Sequence, residues 1–371
     1  MRQSAGVYVH FPWCLAKCPY CDFVSYAEQR DKIDHRAYAD AVLRELELRA
    51  LAVDGRHIES VFFGGGTPSL WEPAQLGRVL AGVKERLGCG DELEVTVECN
   101  PTSLDEERAR ALVDVGVNRV SIGVQSLEDA RLKYLGRLHD ASGGRRAVGD
   151  AVRAGVPRVS ADLIFGLPEQ SPADATREAT ELADMGLQHI SCYQLTIEPG
   201  TRFGELAKRG RLPLADDGAV ADSFLAIDAA LGARGLRHYE ISNYARPGQE
   251  ARHNLGYWRG DEYLGLGCAA YGFVVEPEGA VRYRNEPSPE RYMAGAKDTR
   301  EPIDAAARAR ERIMLGLRVT EGVDLAGLIT PDRQRTLGWL EERGRIVLEG
   351  TRARIPPGSW LWADDTAARL F

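Results

Sequence analysis

The chain has 371 residues, of which 44% are hydrophobic, and its 47 Lys and Arg residues against 55 Asp and Glu residues leave a formal net charge of −8. This composition allows a large hydrophobic core and more than one domain. The charge argues against a general nucleic-acid-binding surface, and no apolar run has the length of a membrane span. Because the first residues also lack a signal-peptide-like apolar segment, we expect a soluble, cytoplasmic protein.

The first half of the chain alternates short β-branched runs with segments of helical periodicity. This alternation predicts a parallel sheet with right-handed crossovers, either open and doubly wound or curved like a barrel. Ser103, with Glu106 three residues later, is predicted to cap the third helix. The predicted strands cover residues 6–10, 58–63, 92–98, 118–124, 158–164 and 189–195, and the predicted helices lie near 34–52, 73–87, 105–115, 128–138, 143–154 and 173–185.

Polar or glycine-rich residues follow each predicted strand, at the end of the sheet where parallel folds place their functional groups. Strand ends are polar in many proteins, and single glycines or carboxylates fit that simpler explanation. Three clustered cysteines do not fit it. In chain order these residues are the cysteine segment 14–21, "GGGTP" at 64–68, Glu98, Gln125, Asp162 with the following "IFGLP", and Tyr193 with Gln194.

Cys14, Cys18 and Cys21 have the spacing C-x3-C-x2-C. In a reducing compartment, such clustering indicates a metal or redox site rather than a disulfide. One alternative is a zinc site completed by His10 or Asp22, because structural zinc takes four ligands. We favour an iron–sulfur cluster of four irons, which accepts three thiolates and leaves one iron open. The other four cysteines are expected to be buried structural residues: Cys89, Cys99, Cys192 and Cys268.

The second half of the chain is less regular. A helix is predicted over residues 222–236, and a glycine- and aromatic-rich segment follows at 253–273. From about Glu290 the chain is charged and mostly helical, and "LGWLEERGRIVLEG" (337–350) predicts a helix, a turn and a strand, as in a winged-helix-like module. The net negative charge of the whole chain argues against DNA binding. We therefore predict three domains, at residues 1–235, 236–290 and 291–371.

The cysteine spacing, with Tyr20 before the last cysteine, resembles that of the radical S-adenosylmethionine superfamily. The segments "YVHFPWCLAKCPYCDF", "FFGGGTPS", "VECNP", "VSIGVQS", "LGRLHD" and "DLIFGLP" resemble its coproporphyrinogen dehydrogenase-like (HemN/HemW) family. The resemblance covers most of the chain and implies an α/β fold, a partial (βα)6 barrel of the TIM type. It also implies a 4Fe-4S cluster on Cys14, Cys18 and Cys21, whose open iron binds S-adenosylmethionine for radical chemistry.

The same resemblance implies cofactor contacts along successive strand ends, and it assigns no catalytic residue. Glycines allow a ligand to approach the backbone closely, and successive N–H groups can form an anion-binding nest. The Arg137 guanidinium is suited to pairing with the cofactor carboxylate. The implied cofactor-binding residues are Tyr8, Gly65, Gly66, Thr67, Glu98, Gln125, Arg137, Asp162 and, as a looser match, Thr196.

Two activities occur in this family. One is oxygen-independent coproporphyrinogen III dehydrogenation, in which radical decarboxylation converts propionates to vinyl groups. Its members carry a further cysteine two residues after the third ligand, where this chain has Phe23. Only 13 residues precede Cys14, too few for the arm that helps to enclose the porphyrinogen. Both departures disfavour the dehydrogenase, which is kept as the alternative.

The heme-chaperone branch carries an H-N-x-x-Y-W motif, which this chain has as "HNLGYW" at 253–258. His253 is the candidate heme-iron ligand, because imidazole is a common axial ligand and aromatic rings can pack against a porphyrin. A structural histidine beside core aromatics is the other explanation. Cys268 and Tyr271 lie in a stretch, "GLGCAAYGF", where related chains often have Pro and His, and packing is the expected role of Cys268.

The resemblance to this branch implies heme capture and transfer to an unidentified acceptor protein. Nucleic acid is not an expected partner. Peripheral membrane contact and homodimerisation are left open as further interactions.

Overall fold

A curved parallel sheet forms the centre of the protein, whose computed structural model describes residues 4–371. The first three residues of the predicted amino-terminal domain lie outside the described residues. In chain order the first eight strands are β1 (Ser4–Phe11), β2 (Trp13–Cys14), β3 (Tyr26–Ala27), β4 (His57–Gly65), β5 (Glu94–Cys99), β6 (Arg119–Gln125), β7 (Arg158–Phe165) and β8 (His189–Gln194). The six long strands pair in the order β1-β4-β5-β6-β7-β8, and each pair is parallel.

The apolar runs that predicted these six strands are buried because the sheet of a βα barrel is covered on both faces. Val7, Val61 and Val97, for example, have no exposed surface. The predicted partial (βα)6 barrel is therefore confirmed, with strand limits that differ from the predicted ones by at most three residues. Polar residues follow the strands at their carboxyl ends, as expected.

Six helices cross between these strands and cover the outside of the sheet. They are α1 (His35–Arg49), α2 (Pro73–Leu87), α3 (Glu106–Asp114), α4 (Asp129–Tyr134), α5 (Ala141–Arg153) and α6 (Pro172–Asp184). The predicted cap of α3 is wrong: Asp105 is the N-cap and accepts from the N–H of Arg108, because it stands next to the first helical residue. The hydroxyl of Ser103 instead contacts Ser69 and the carbonyl of Asn100.

The predicted helix over 128–138 is shorter in the structure. The chain turns after Tyr134, and Gly136 adopts a φ of 67°, in the left-handed region that favours glycine. The shortening matters for the candidate site, because Arg137 then lies on a turn at the end of the barrel rather than on a helix.

The segment after β8 adds strands to both edges of the barrel. It contains α7 (Arg202–Lys208), α8 (Asp217–Gly232), β9 (Arg237–Glu240), β10 (Asn243–Ala245), α9 (Arg252–Arg259), β11 (Glu262–Leu266), β12 (Tyr271–Glu276), β13 (Gly279–Arg284), α10 (Pro289–Met293) and β14 (Thr299–Ile303). Strand β10 pairs antiparallel with β8, and β11 pairs parallel with β1. The result is a twelve-stranded sheet with β9 and β14 as its outer strands.

The carboxyl-terminal region has a hydrophobic core of its own, around Ile313, Leu340 and Trp360. Its elements are α11 (Ala305–Gly316), β15 (Val323–Asp324), α12 (Pro331–Glu342), β16 (Val347–Glu349), β17 (Arg352–Arg354) and α13 (Ala363–Ala368). The three short strands form an antiparallel sheet in the order β15-β17-β16. Helices followed by a hairpin agree with the winged-helix-like prediction. The three-domain division stays a prediction, and the strands of 236–290 lie in the barrel sheet.

Within residues 4–371, no helix is both long enough and apolar enough to span a membrane.

Helix α9 closes the amino-terminal end of the barrel, where β5 begins. The buried carboxylate of Glu94 accepts from the N–H groups of Arg252 and His253, each at 3.1 Å, and from Arg158 Nη1 at 2.7 Å. Burial raises the pKa of Glu94, but the guanidinium groups of Arg119 and Arg158 and the two N–H donors outweigh burial and hold it below its usual value. An ionised Glu94 therefore joins two strands to the helix that closes the barrel.

We expect Glu94→Gln to lower the free energy of unfolding by about 3 kcal/mol, because it removes one partner of a buried ion pair. Urea unfolding at pH 7 measures this, with the exposed Glu92→Gln as the matched control. Since the folded-state pKa is lowered, the stabilisation is present above the unfolded pKa of about 4.3 and is lost as pH falls through the folded value. Equal unfolding midpoints for Glu94→Gln and the wild type would contradict the assignment.

Candidate functional site

The three cysteines lie on the loop that follows β1, at the carboxyl end of the barrel. The loop is closed at its base by β2 and β3, which pair Trp13 with Tyr26. Within it, the N–H of Cys21 donates to the carbonyl of Cys18 at 3.2 Å. All three thiols are free and half-buried. The backbone thus folds the cysteine loop into one compact turn.

Two residues from outside the cysteine loop donate to these thiols: Thr67, which follows β4, and Arg137, on the turn after α4. Thr67 Oγ1 lies 3.3 Å from Cys14 Sγ, and Arg137 Nη1 lies 3.4 Å from Cys18 Sγ. Burial raises the pKa of Cys14 and raises the pKa of Cys21 to about 11, and the neighbouring thiols act in the same direction. The charge of a neighbouring thiolate therefore affects the ionisation of Cys14 and Cys21.

His10 and Asp22 are the two residues that could complete a zinc site with the cysteines. His10 engages both ring nitrogens, with Tyr8 Oη at 3.0 Å and with the carbonyl of Val24 at 2.8 Å, and Asp22 is exposed. Across the described part of the chain, no three His, Cys, Asp or Glu side chains are grouped as a site for a single metal ion. In this structure the ring of His10 contacts the backbone that follows the cysteines, at the carbonyl of Val24.

The glycine segment after β4 packs directly against the cysteine loop. Gly65 has a φ of 108°, and a Cβ added there would lie 2.5 Å from the His10 ring. A Cβ at Gly66 would lie 2.6 Å from the carbonyl oxygen of Trp13. Glycine is therefore required at Gly65 because of its positive φ and the nearby His10 ring, and at Gly66 because two backbone segments approach closely.

The amide groups of this segment are already used within the protein. The N–H of Gly65 donates to Glu98 Oε2 at 3.1 Å, that of Gly66 to the carbonyl of Phe11 at 2.7 Å, and that of Thr67 to the carbonyl of Trp13 at 2.8 Å. The expected nest of free N–H groups is thus not present at Gly65, Gly66 and Thr67. Their role in this structure is to fix the cysteine loop on the barrel.

Two carboxylates lie inside the barrel near its carboxyl end: Glu98 on β5 and Asp162 on β7, the strands on either side of β6. Burial raises the pKa of Glu98 to about 8, and the negative charge of Asp162 adds to the effect. Burial also raises the pKa of Asp162, which accepts from Ser121 Oγ at 3.0 Å. A ligand with ammonium or hydroxyl donors would match these two acceptors.

Arg137 presents one unused donor to the same region. Its Nη2 donates to the carbonyl of Gly123 at 2.7 Å and its Nη1 to Cys18, while its Nε is buried without an acceptor. Buried donors are normally satisfied, so this nitrogen is suited to a carboxylate of a bound molecule. The orphaned N–H is the observation by which these residues fit an amino-acid-bearing cofactor such as S-adenosylmethionine.

A small cleft that is open to solvent lies beside Arg137. Cys18, Thr67 and Arg137 all line it. Asn100 and Thr102 also line it and were not predicted, although Asn100 belongs to the quoted "VECNP" segment. Its side chain caps the turn after β5 by accepting from Thr102.

The remaining predicted cofactor residues lie at the strands that the sequence assigned to them. Tyr8 lies on β1, and burial followed by the charge of Glu98 raises its pKa. Gln125 ends β6 with a φ of 67°, a conformation that costs energy for a side-chain-bearing residue and is frequent at functional sites. Thr196 is exposed beyond the end of β8.

The structure does not bring His253 to the cysteine loop. It lies on α9 at the opposite end of the barrel, where its Nδ1 is 2.8 Å from Ser60 Oγ and its Nε2 is 3.0 Å from Tyr257 Oη. Its ring stacks on Phe62, with ring centroids 4.9 Å apart. Burial lowers the pKa of His253 to about 4. The imidazole is thus neutral and 3% exposed, and both its nitrogens are engaged.

Comparison with known proteins identifies relatives along the whole chain. The profile of the Radical SAM superfamily matches residues 8–205. The heme chaperone HemW of Escherichia coli K12 is 38% identical over 85% of this chain and 83% of its own length, and that of Mycobacterium tuberculosis H37Rv is 36% identical over 100% and 95%. The structure of the E. coli coproporphyrinogen III oxidase HemN superposes with a TM-score of 0.81 at 20% identity, covering 100% of this chain and 90% of that one.

We expect Glu98→Gln to flatten the pH dependence of stability of the cluster-free protein. Because the folded-state pKa of Glu98 is raised, its contribution to stability is fully present below the unfolded pKa of about 4.3. That contribution is lost as pH rises from there towards 8. The neutral amide has no such titration. Urea unfolding at pH 5.5, 7 and 8.5 measures the difference, with the exposed Glu107→Gln as control. Parallel curves for Glu98→Gln and the wild type would disprove the shift.

Proposed function

This chain belongs to the radical SAM superfamily and, within it, to the family of the heme chaperone HemW, and from that membership we propose that it binds heme and delivers it to an acceptor protein. The observation that carries the proposal is the similarity to the M. tuberculosis chaperone, which extends over the whole chain. A 4Fe-4S cluster and S-adenosylmethionine are the proposed resident cofactors, and together they supply one-electron radical chemistry when bound.

We assign the cofactor contacts to the residues at the carboxyl end of the barrel. Cys14, Cys18 and Cys21 would hold the cluster, and the glycine segment keeps their loop in place. The unused Nε of Arg137 would bind the carboxylate of S-adenosylmethionine, because a guanidinium N–H in a buried cleft is a strong carboxylate donor. Glu98 and Asp162 would accept from its ammonium and ribose groups.

The dehydrogenase is the alternative function. The likeness to HemN, at 20% identity, supports the common fold alone. Phe23 stands where the family resemblance places the additional cysteine of the dehydrogenases. We therefore favour heme transfer as the function. Turnover of coproporphyrinogen III would test the dehydrogenase activity.

We propose that the protein acts in the cytoplasm and that its partner is a heme-acceptor protein. Homodimerisation and peripheral membrane contact are proposed as further interactions, to be measured by gel filtration and by flotation with lipid vesicles.

Anaerobic reconstitution followed by heme titration tests the function. We expect the wild type to acquire iron–sulfur absorption, to bind heme and to pass heme to apomyoglobin as a probe acceptor. Cys18→Ser should lose the cluster because one of three ligands is absent, whereas Cys89→Ser, outside the cysteine loop, should keep it. Failure of the reconstituted wild type to bind heme would refute the proposal. Conversion of coproporphyrinogen III to protoporphyrinogen IX, with S-adenosylmethionine and reductant, would establish the dehydrogenase instead.

Ligation of heme iron by His253 is kept as a separate proposal with a structural condition. Both imidazole nitrogens are engaged, so His253 could reach an iron only after its contact with Ser60 or Tyr257 is released. Ser60→Ala and Tyr257→Phe each release one nitrogen. If His253 is the ligand, these variants should bind heme more tightly than the wild type.

We expect His253→Ala to lower the free energy of unfolding by about 2–4 kcal/mol, because it removes a fully packed ring and leaves the Ser60 and Tyr257 hydroxyls without a partner. Urea unfolding measures the loss. The heme spectrum of the folded His253→Gln variant, which retains a hydrogen-bonding side chain, separates the two roles. An unchanged spectrum supports the structural role, and a changed one supports ligation.

A further inference from the structure

A second feature of the carboxyl end of the barrel lies beside the cysteine loop, where β12 begins and β13 ends. Tyr271 and Arg284 pair across these strands, and the Arg284 guanidinium carbon lies 5.2 Å from the centre of the Tyr271 ring. Tyr26, from the cysteine loop, reaches the same segment by donating to the carbonyl of Pro287 at 2.9 Å. We call these three residues, Tyr26, Tyr271 and Arg284, the Arg284 face.

Both tyrosines of the Arg284 face are turned partly to solvent, with exposures of 40% for Tyr26 and 46% for Tyr271. Large aromatic side chains exposed together around a single cation form an amphipathic surface. The surface adjoins the thiols, because Tyr26 lies on the loop that carries them.

The guanidinium of Arg284 has no carboxylate partner among residues 4–371, and its Nε is buried without an acceptor. Other arginines on and beside the same strands are paired. Arg282 binds Glu311 at 2.8 Å, and Arg300 on β14 is paired with Glu276. Burial lowers the pKa of His10 to about 4, and the charge of Arg284 acts in the same direction, which places that charge near the base of the cysteine loop.

The acidic residues near the Arg284 face are themselves engaged. Glu286 pairs with Arg291 at 3.1 Å, and Glu290 accepts from Ser288 Oγ at 2.8 Å. A partly buried cation with a buried, unused donor is costly unless an anion completes it. The unpaired guanidinium of Arg284, with its unused buried donor, is therefore the group that favours an anionic ligand here.

The backbone that carries Tyr271 is held in place. Asn285 donates its side-chain amide to the carbonyl of Gly267 at 2.8 Å and its N–H to the carbonyl of Ala270. Gly272 lies so close to the ring of Tyr283 that no side chain would fit there. Such bracing reduces the ordering cost when a ligand binds.

We propose that Arg284 binds a propionate carboxylate of the tetrapyrrole and that the rings of Tyr26 and Tyr271 contact its apolar macrocycle. The inference rests on the proposed heme-carrying function and names the contact site for the cargo. Heme combines a flat apolar ring with carboxylates, and a guanidinium fork with flanking aromatic rings matches both parts. The site lies at the opposite end of the strands from His253, about 13 Å along β1 from Gly6 to His10.

Heme titration of the reconstituted protein tests this site. Arg284→Gln should weaken heme binding about 10-fold or more, since a charge-assisted hydrogen bond is lost. The heme affinity of Arg284→Lys should lie between those of the wild type and Arg284→Gln, because lysine keeps the positive charge but lacks the paired donors of the guanidinium. Arg300→Gln removes the same charge from the adjacent strand and should bind heme as the wild type does.

Heme dimethyl ester provides the matching change in the ligand. It should bind the wild type about as weakly as heme binds Arg284→Gln, and Arg284→Gln should not distinguish the ester from heme. Unfolding in urea confirms that each variant is folded. Arg284→Gln should lose only the weak contact of the guanidinium with the Tyr271 ring, because the buried Nε has no acceptor.

Equal heme affinity of Arg284→Gln and wild type, or equal affinity of the wild type for heme and its ester, would overturn the site. So would loss of heme affinity in His253→Gln with affinity kept in Arg284→Gln, which would place the cargo at the other end of the barrel. A wild-type protein that binds neither heme nor its ester would refute the proposed function itself, so the two failures are distinct.

Discussion

The close packing of Gly65 and Gly66 against the cysteine loop is the constraint on which the candidate site depends. Backbone hydrogen bonds from Gly66 and from Thr67 reach the carbonyls of Phe11 and Trp13. A side chain at Gly66 would overlap the carbonyl of Trp13, and one at Gly65 would overlap the ring of His10, which itself contacts the loop at Val24. Because these contacts are made by the main chain, the positions of the three thiols are set by the fold itself. The chain can therefore present its thiolate ligands before a cluster is assembled, which is the arrangement expected of a preorganised metal site.

The two ends of the barrel are electrostatically different. At the amino-terminal end, Glu94 is paired and the imidazole of His253 is neutral and fully hydrogen-bonded. At the carboxyl end, Arg137 and Arg284 each keep a buried Nε without an acceptor, and burial raises the pKa of Glu98. Arg158 at the amino-terminal end also has a buried Nε without an acceptor, but its guanidinium is paired with Glu94. Within residues 4–371, Arg137 and Arg284 have no carboxylate partner, so they are the arginines that an anionic ligand could complete.

Much of the fold could be predicted from the local sequence pattern, whereas the candidate site could be predicted only in part. The six barrel strands were predicted because buried parallel strands are nearly continuous apolar runs, and the cysteine loop because its spacing is specific. The cap at Ser103 failed because Asp105 stands closer to the helix start. The position of His253 depends on contacts with Ser60 and Glu94, which are more than 150 residues away in sequence, and local pattern carries no signal for them. Arg284 gave no signal either, since an unpaired arginine is recognised only from its neighbours in space.

The outer strand β14 limits how readily the open edge of the sheet can pair with a strand of another molecule. Its residues include Arg300, Glu301 and Pro302, which combine two charges with a residue that has no N–H to donate. Such a strand is a poor template for pairing with a strand of another molecule. The twelve-stranded sheet can therefore remain open without recruiting neighbouring chains into fibre-like stacks, and protein made without its cofactors should resist aggregation through this edge.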